Sequence, residues 1–339
     1  MRTSLITPAL LGTTLASNLP TYSKTTNNPL PLIIWHGLGD SASSESLAQI
    51  AHLADTIAPG ILVHMINPTP DNTPDDRSAT FFGNVTEQIQ TVCTQLAHHP
   101  ILSTAPAVDA IGFSQGGQFL RGYLERCNKP PLRNLITFGS QHNGITAFRD
   151  CAASDFVCKT AMALLRFNVW GSFVQSRVVP AQYFRPAVTT APEDEEEQEE
   201  EEDDEYQSYL EHSNYLADIN NEREVKNAKY KANVARLENL VLYMFENDTV
   251  SIPKESAWFG GDVGPEGRAI GLRDRPMYKE DWLGLKVLDE RGGLKFRSVP
   301  GEHMQITDEV LNQTMREFLG PYKGGVLSGD EEDVQSEEL

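Results

Sequence analysis

No window of this sequence comes close to the 18 or so consecutive apolar residues that a membrane-crossing helix needs, although 40% of its 339 residues are hydrophobic. Basic residues are scarce: 28 Lys and Arg stand against 48 Asp and Glu and form no cluster. The electrostatic footprint of a nucleic-acid binder is therefore missing. Metal-site wording is missing too, with no H-E-x-x-H, no C-x-x-C and the His residues scattered, so no metal and no cofactor are expected. There are no internal repeats. The four cysteines, Cys93, Cys127, Cys151 and Cys158, allow three pairings.

The net charge of −20 is local. Residues 193–205 hold twelve acids in thirteen positions and the tail beyond 326 adds six, which leaves the remaining chain at −2. Such composition buries no apolar surface, so a disordered loop over 192–205 and a disordered acidic tail over 323–339 are expected. Residues 1–17 resemble a secretory signal, one Arg before a short Thr-diluted apolar region ending in small residues. Three N-x-S/T sequons, at Asn84, Asn247 and Asn312, are glycosylation candidates. With the cysteines they favour an oxidising route through the secretory pathway, to a lysosome or vacuole or outside the cell. Asn84 also has a local reading, as a helix N-cap with Glu87 three residues on.

What is present centres on residues 107–120. The apolar run 108–111 ends in Gly112-Phe113-Ser114-Gln115-Gly116, and Leu120, Tyr123 and Leu124 then recur at helical spacing. Strand, sharp turn and helix are the context of a G-x-S-x-G nucleophile elbow. The glycines remove side chains where strand and helix cross, and Ser114 is left at the apex. Elsewhere strands and helices alternate, which predicts a mostly parallel sheet with helices on both faces. Strands are expected over 30–35, 61–66, 132–138, 240–245 and 294–299, the last after a Gly292-Gly293 hairpin. Helices are expected around Leu47, Ile50, Ala51 and Ala54, around Val85 to Leu96, over 225–237 and over 308–319. One domain over 28–322 is expected, with an irregular insert at about 145–235.

Gly37-Leu-Gly-Asp-Ser-Ala42 loosely fits a dinucleotide fingerprint, but Asn67-Pro68 follows the second strand and no acid is placed for a ribose. A serine nucleophile needs a base and an orienting carboxylate, in the chain order Ser, acid, His, each past a strand end. Asp248 follows the strand 240–245 and His303 follows 294–299. His36 and His142 precede Asp248, and His212 adjoins the acidic tract, so they compete poorly as base.

His36-Gly-Leu-Gly-Asp-Ser41, Gly112-Phe-Ser-Gln-Gly-Gly-Gln-Phe-Leu-Arg121, Gln141-His-Asn-Gly144, Leu216-Ala-Asp-Ile-Asn-Asn-Glu-Arg223, Asn247-Asp-Thr-Val250 and Trp258-Phe-Gly260 resemble the lysosomal palmitoyl-protein thioesterase family, from about residue 30 to 320. The resemblance implies a single-domain α/β-hydrolase that removes long-chain fatty acyl groups from cysteine thioesters of proteins or peptides. It implies Ser114, Asp248 and His303 as triad, the N–H groups of Leu38 and Gln115 as oxyanion donors, and bridges Cys93–Cys127 and Cys151–Cys158. It also implies acyl-groove positions at Val179 and Phe184, the latter replacing a tryptophan, with groove walls expected over 145–185. The acidic run has no counterpart in the family. Two alternatives stand beside this reading: a broader acyl-protein thioesterase or carboxylesterase acting on oxygen esters, and a non-catalytic lipid-binding protein on the same scaffold.

Overall fold

A computed structural model describes residues 28–69, 76–147, 156–188, 196–264 and 267–321. The expected leader, the acidic tail and Cys151 lie outside these residues. In chain order the elements are β1 (Leu32–Trp35), α1 (Glu45–Ile57), β2 (Val63–Met65), α2 (Asp76–Ala79), α3 (Val85–His98), β3 (Val108–Phe113), α4 (Gln115–Arg126) and β4 (Leu132–Phe138). The insert follows, with α5 (Phe156–Phe167), α6 (Ser172–Arg177), a 3₁₀ turn (Val179–Tyr183), α7 (Glu196–His212), α8 (Leu216–Ile219) and α9 (Ala228–Ala235). Then come β5 (Asn239–Phe245), α10 (Pro276–Lys279), α11 (Leu285–Glu290), β6 (Leu294–Val299) and α12 (Asp308–Phe318).

The six strands form one parallel sheet in the order β2-β1-β3-β4-β5-β6. Strand order reverses between β1 and β3, and ligands of open α/β sheets bind at such a switch point, beyond the strands' carboxyl ends. Both sheet faces are apolar, as buried parallel strands require. Ile33, Trp35, Ala110, Leu135 and Leu242 pack beneath α3, α4 and the insert. Their alternates Ile34, Ile111, Phe113, Ile136 and Tyr243 pack beneath α1 and α12. The period of two along each strand makes this division. Asn84 caps α3 through its side chain, as read from sequence, and Asn227 caps α9, which therefore starts later than the polar helix expected from residue 225. Cys93 and Cys127 are bridged, which ties α3 to the end of α4.

Two expectations are corrected. Gly292-Gly293 does not turn a hairpin, because β5 and β6 are parallel. Gly292, at φ 78°, instead ends α11: its N–H donates to the Asp289 carbonyl and that of Gly293 to Leu288. Of the expected acidic loop, residues 192–195 lie outside the described residues, and 196–205 are helical, the first turns of α7. Glu is a good helix former, acids favour a helix N-terminus, and the C-terminal half of α7 is anchored. There Tyr209 is fully buried and its hydroxyl donates to Glu222. Glu222 also accepts from Arg185 at 3.0 Å, and Arg185 and Arg275 both pair with Asp262.

The helix behind the apex carries a second buried polar system. Arg121 donates to the carbonyls of Ile219 and His142, to Asn220 Oδ1 at 2.7 Å and to Glu125 at 3.0 Å. Burial pushes the Glu125 carboxyl up to about 8, against the pull of the Arg121 charge, and its Oε2 has no hydrogen-bond partner. The fold thus favours the protonated form, and Glu125 contributes most below its ordinary value of 4.5. That contribution is lost as the pH rises towards 8. Glu125→Gln keeps an acceptor for Arg121, so its stability should match the wild type near pH 5. By pH 8 it should exceed the wild type by at least about 1 kcal/mol. Denaturant unfolding at both pH values measures the difference, and a variant penalty that grows with pH would contradict it.

Candidate active site

Ser114 occupies a backbone conformation, φ 51° and ψ −128°, that L residues adopt only when their surroundings impose it. The surroundings are β1 and β4. Its N–H donates to the Phe138 carbonyl at 2.8 Å, and the Trp35 and His36 carbonyls press on Gly116 so closely that a Cβ there would overlap both. Gly112 meets Gly117 in the same way. This packing turns the chain sharply and points the hydroxyl out of the sheet.

The geometry brings three separated strand ends together. His303, in the loop after β6, places Nε2 at 3.0 Å from Ser114 Oγ and Nδ1 at 2.6 Å from Asp248 Oδ2. Asp248, past β5, is held in turn: its Oδ1 accepts the N–H groups of Val250 and Ser251 at 2.8 and 2.9 Å. Its side chain is 1% exposed and that of His303 11%, so this hydrogen-bond chain runs from a buried carboxylate to the Ser114 hydroxyl at the cavity. The competing histidines are placed otherwise. His142 is buried, stacks on Phe259 at 4.8 Å and meets Thr137 Oγ1 at 3.0 Å. Burial, then the Arg121 charge, lowers its basicity well below that of a free imidazole. His36 lies under the first loop, 3.3 Å from Asp76, and His212 ends α7 on the surface.

Gln115 is the first residue of α4, so its N–H has no acceptor within the helix. Its side chain is fixed by Tyr183 and the Thr80 carbonyl at 3.2 and 3.4 Å. Leu38, in the loop after β1, lines the cavity with Ser114, and a Cβ added at Gly37 of that loop would lie 3.1 Å from that of Ser114. Residues that the sequence did not single out hold this loop. Asp76 accepts the Ala42 N–H at 2.6 Å, Thr80 Oγ1 accepts the Gly39 N–H at 2.9 Å, and Arg77 Nε donates to the Gly39 carbonyl at 2.9 Å. They lie in a polar stretch without periodicity, and only their partners 34 to 41 residues away reveal them.

A cavity of about 1170 Å³ opens over Ser114 and His303. On the insert side Leu38, Ile145, Met162, Pro180 and Tyr183 wall it, and on the other it continues between α1 and α12. Walls from 145–185 were expected, but not these residues. Val179 does not line the cavity: it is fully buried in the core, its N–H donating to Phe81 at 2.8 Å. Phe184 also lies off the cavity, packed on Trp170 with 5.5 Å between rings. The cause is the 3₁₀ turn, whose period of three puts Pro180 and Tyr183 on one side and turns Val179 inward. Phe156 and Phe173, on α5 and α6, are exposed. Cys158 also reaches the cavity and is disulfide-bonded. Of the sequons, Asn247 is exposed, Asn84 Oδ1 is taken by the α3 cap and Asn214, and Asn312 Oδ1 accepts from Arg316 while Thr314 is buried. Among the described residues no group of acids, His and Cys is arranged to hold a metal ion, and no helix is long and apolar enough to cross a membrane.

The family model described as palmitoyl protein thioesterase matches residues 31–303. Palmitoyl-protein thioesterase 1 of Caenorhabditis elegans is 34% identical over 296 residues, 86% of this chain and 92% of that protein. Palmitoyl-protein thioesterase 3 of Dictyostelium discoideum is 30% identical, over 80% of this chain and 84% of its own. Lysosomal thioesterase PPT2-B of Xenopus laevis is 27% identical, over 80% and 85%. Among solved structures, Est1E from Butyrivibrio proteoclasticus with ferulic acid superposes with a TM-score of 0.43 at 9% identity, covering 88% of this chain and 91% of that one.

The elbow sets a strict test of the packing. Gly116→Ala should cost at least about 3 kcal/mol, the upper end of ordinary overpacking, because the obstacle is backbone on both sides. Thermal or denaturant unfolding measures it, and a variant of wild-type stability would show that β1 and α4 can separate freely.

Proposed function

The chain belongs to the palmitoyl protein thioesterase family, and from that membership we propose how this molecule performs thioester hydrolysis. It is a serine hydrolase that removes long-chain fatty acyl groups from cysteine thioesters. Ser114 is the nucleophile, His303 the base and Asp248 the orienting acid. A proton on Nδ1 donated to Asp248 leaves the Nε2 lone pair free for the Ser114 O–H. Ser114 attacks the thioester carbonyl as His303 takes its proton. The tetrahedral oxyanion is met by the N–H groups of Leu38 and Gln115, each worth roughly 3 kcal/mol in the transition state. The thiolate leaves with the proton from His303, and a water activated by the same imidazole hydrolyses the acyl-enzyme. The observation that carries this reading is the continuous hydrogen-bond chain Asp248–His303–Ser114 at the mouth of a largely apolar cavity.

The acyl chain lies against Leu38, Ile145, Met162, Pro180 and Tyr183, since each buried methylene contributes about 0.8 kcal/mol. An exposed thioester reaches the serine with its chain in that side of the cavity. The protein works in the secretory pathway or lysosome. Two observations support this: the Cys93–Cys127 bridge fits an oxidising compartment, since disulfides are rare where thiols are kept reduced, and relatives of the chain are named lysosomal thioesterases. Asn247 is the sequon best exposed for a glycan.

Ser114→Ala should reduce hydrolysis of a palmitoyl thioester at least about a thousandfold, as for other triad nucleophiles, with the unfolding midpoint unchanged. Pure variant retaining several per cent of activity would remove Ser114 from the mechanism. Failure of the wild type to react with a fluorophosphonate would favour the lipid-binding alternative, and faster turnover of matched oxygen esters would favour a general esterase.

A further inference from the structure

The cavity over Ser114, about 1170 Å³, exceeds the roughly 300–1,000 Å³ of a site that one small molecule fills. The additional space runs between α1 and α12, two helices that pack against each other on one face of the sheet and both start beside the triad. Along α1 the lining extends from Ser46 to Thr56, about 15 Å at 1.5 Å per residue. Its floor is Ile50, Leu53 and Leu311, and its rim Gln49, Thr56 and Asn312. Asp40, Asp308 and His52 also line the cavity, and among the described residues no Lys or Arg does.

The two sides of the cavity differ in chemistry. The insert side offers aliphatic surface, and its one phenol, Tyr183, is already engaged with Gln115. The α1–α12 side pairs an apolar floor with the amides of Gln49 and Asn312, while the Thr56 hydroxyl already donates to the His52 carbonyl and Asn312 Oδ1 already accepts from Arg316. An acyl chain gains nothing from such a rim. An extended polypeptide does, because each residue brings an N–H and a C=O that need partners, and alternate side chains can reach the floor. Two acids facing a cavity without Lys or Arg add a sign preference, since a cation drawn beside them is favoured at low ionic strength.

We propose that the furrow between α1 and α12 holds the polypeptide carrying the S-acyl cysteine, extended over four or five residues at about 3.3 Å each, and favours Lys or Arg beside that cysteine. The inference rests on the thioesterase reading of the same site. It divides the cavity by chemistry, with the acyl chain against the insert and the leaving thiol's chain against α1 and α12.

The test compares three palmitoyl thioesters on the full chain: that of N-acetylcysteamine, and those of a cysteine in a hexapeptide flanked by Lys or by Glu. For the wild type, kcat/KM on the Lys peptide should exceed that on the Glu peptide about tenfold, and the gap should shrink in high salt. Gln49→Arg combined with Asp308→Asn changes two exposed positions. This variant should erase the peptide preference mainly through KM, while turnover of the N-acetylcysteamine ester stays within about twofold. An unchanged peptide ratio would overturn the proposal. So would a variant whose turnover of the palmitoyl N-acetylcysteamine ester falls as much as that of the peptides, because the furrow would then hold the lipid. No wild-type turnover on any of the three esters would bring down the thioesterase reading itself, a result distinct from loss of the peptide preference alone.

Discussion

The crossing of β3 and α4 beneath the end of β1 is the constraint on which the rest of the molecule depends. Ser114 stands at φ 51°, a conformation costing on the order of 1–3 kcal/mol that survives only when the surroundings over-determine it. The surroundings do so with polar contacts as much as with packing. Gln118 donates to the Gln141 carbonyl, Tyr215 OH to the Gln118 carbonyl, and Arg121 to four acceptors from three segments. All but the Arg121–Glu125 pair, which lies within the helix, link α4 to a part of the chain remote in sequence. The helix is pinned in rotation and translation, and the apex at its head is pinned with it.

The other two members of the triad are fixed by the same logic with different means. Asp248 hangs from a strand end and has its second oxygen filled by two backbone N–H groups. That leaves one oxygen, in one direction, for His303. A carboxylate so held stabilises the imidazolium that forms when Ser114 gives up its proton, and needs no reorganisation to do so. His142 shows the converse. Close to the site but buried beside Arg121, it is kept neutral and serves as a stacking surface for Phe259. Environment, more than residue type, decides which imidazole can act as the base.

The parts of this arrangement legible in the sequence are those written in short windows. The elbow is five contiguous residues, and Asp248 and His303 each follow an apolar run whose strand character is plain. Strand order then fixed their roles before any geometry. What escaped depends on contacts between distant segments. The 76–80 segment has no periodicity, yet Asp76, Arg77 and Thr80 hold the Leu38 loop. Val179 and Phe184 have the right composition for a groove, but a 3₁₀ turn alone determines which side chains face it. Gly292-Gly293 looked like a hairpin because the local wording of a hairpin turn and of a helix end is the same. Only the parallel pairing of β5 with β6 separates them.

The acidic run carries the same lesson into electrostatics. Twelve acids in thirteen residues repel one another, which argues for disorder when the segment is considered alone. Tyr206, Tyr209 and Leu210, one to two turns further along α7, pack against the core, and Tyr209 meets a cluster in which Arg185 and Arg275 face Glu222 and Asp262. Once that end is fixed, each added residue extends an existing helix, so the costly nucleation step is already met. Negative charge at the N-terminal end then aligns favourably with the helix dipole. Charge density sets the solvation of this segment, and the anchor sets its conformation. Because the anchor is a buried ion-pair cluster between the insert and the segment following β5, in which each member has two opposite-charge partners, removing one member would leave one buried charge uncompensated. The acidic helix and the wall of the catalytic cavity are thus attached to the sheet through the same insert. The triad's described partners come from β3, β5 and β6 and the loops that follow them.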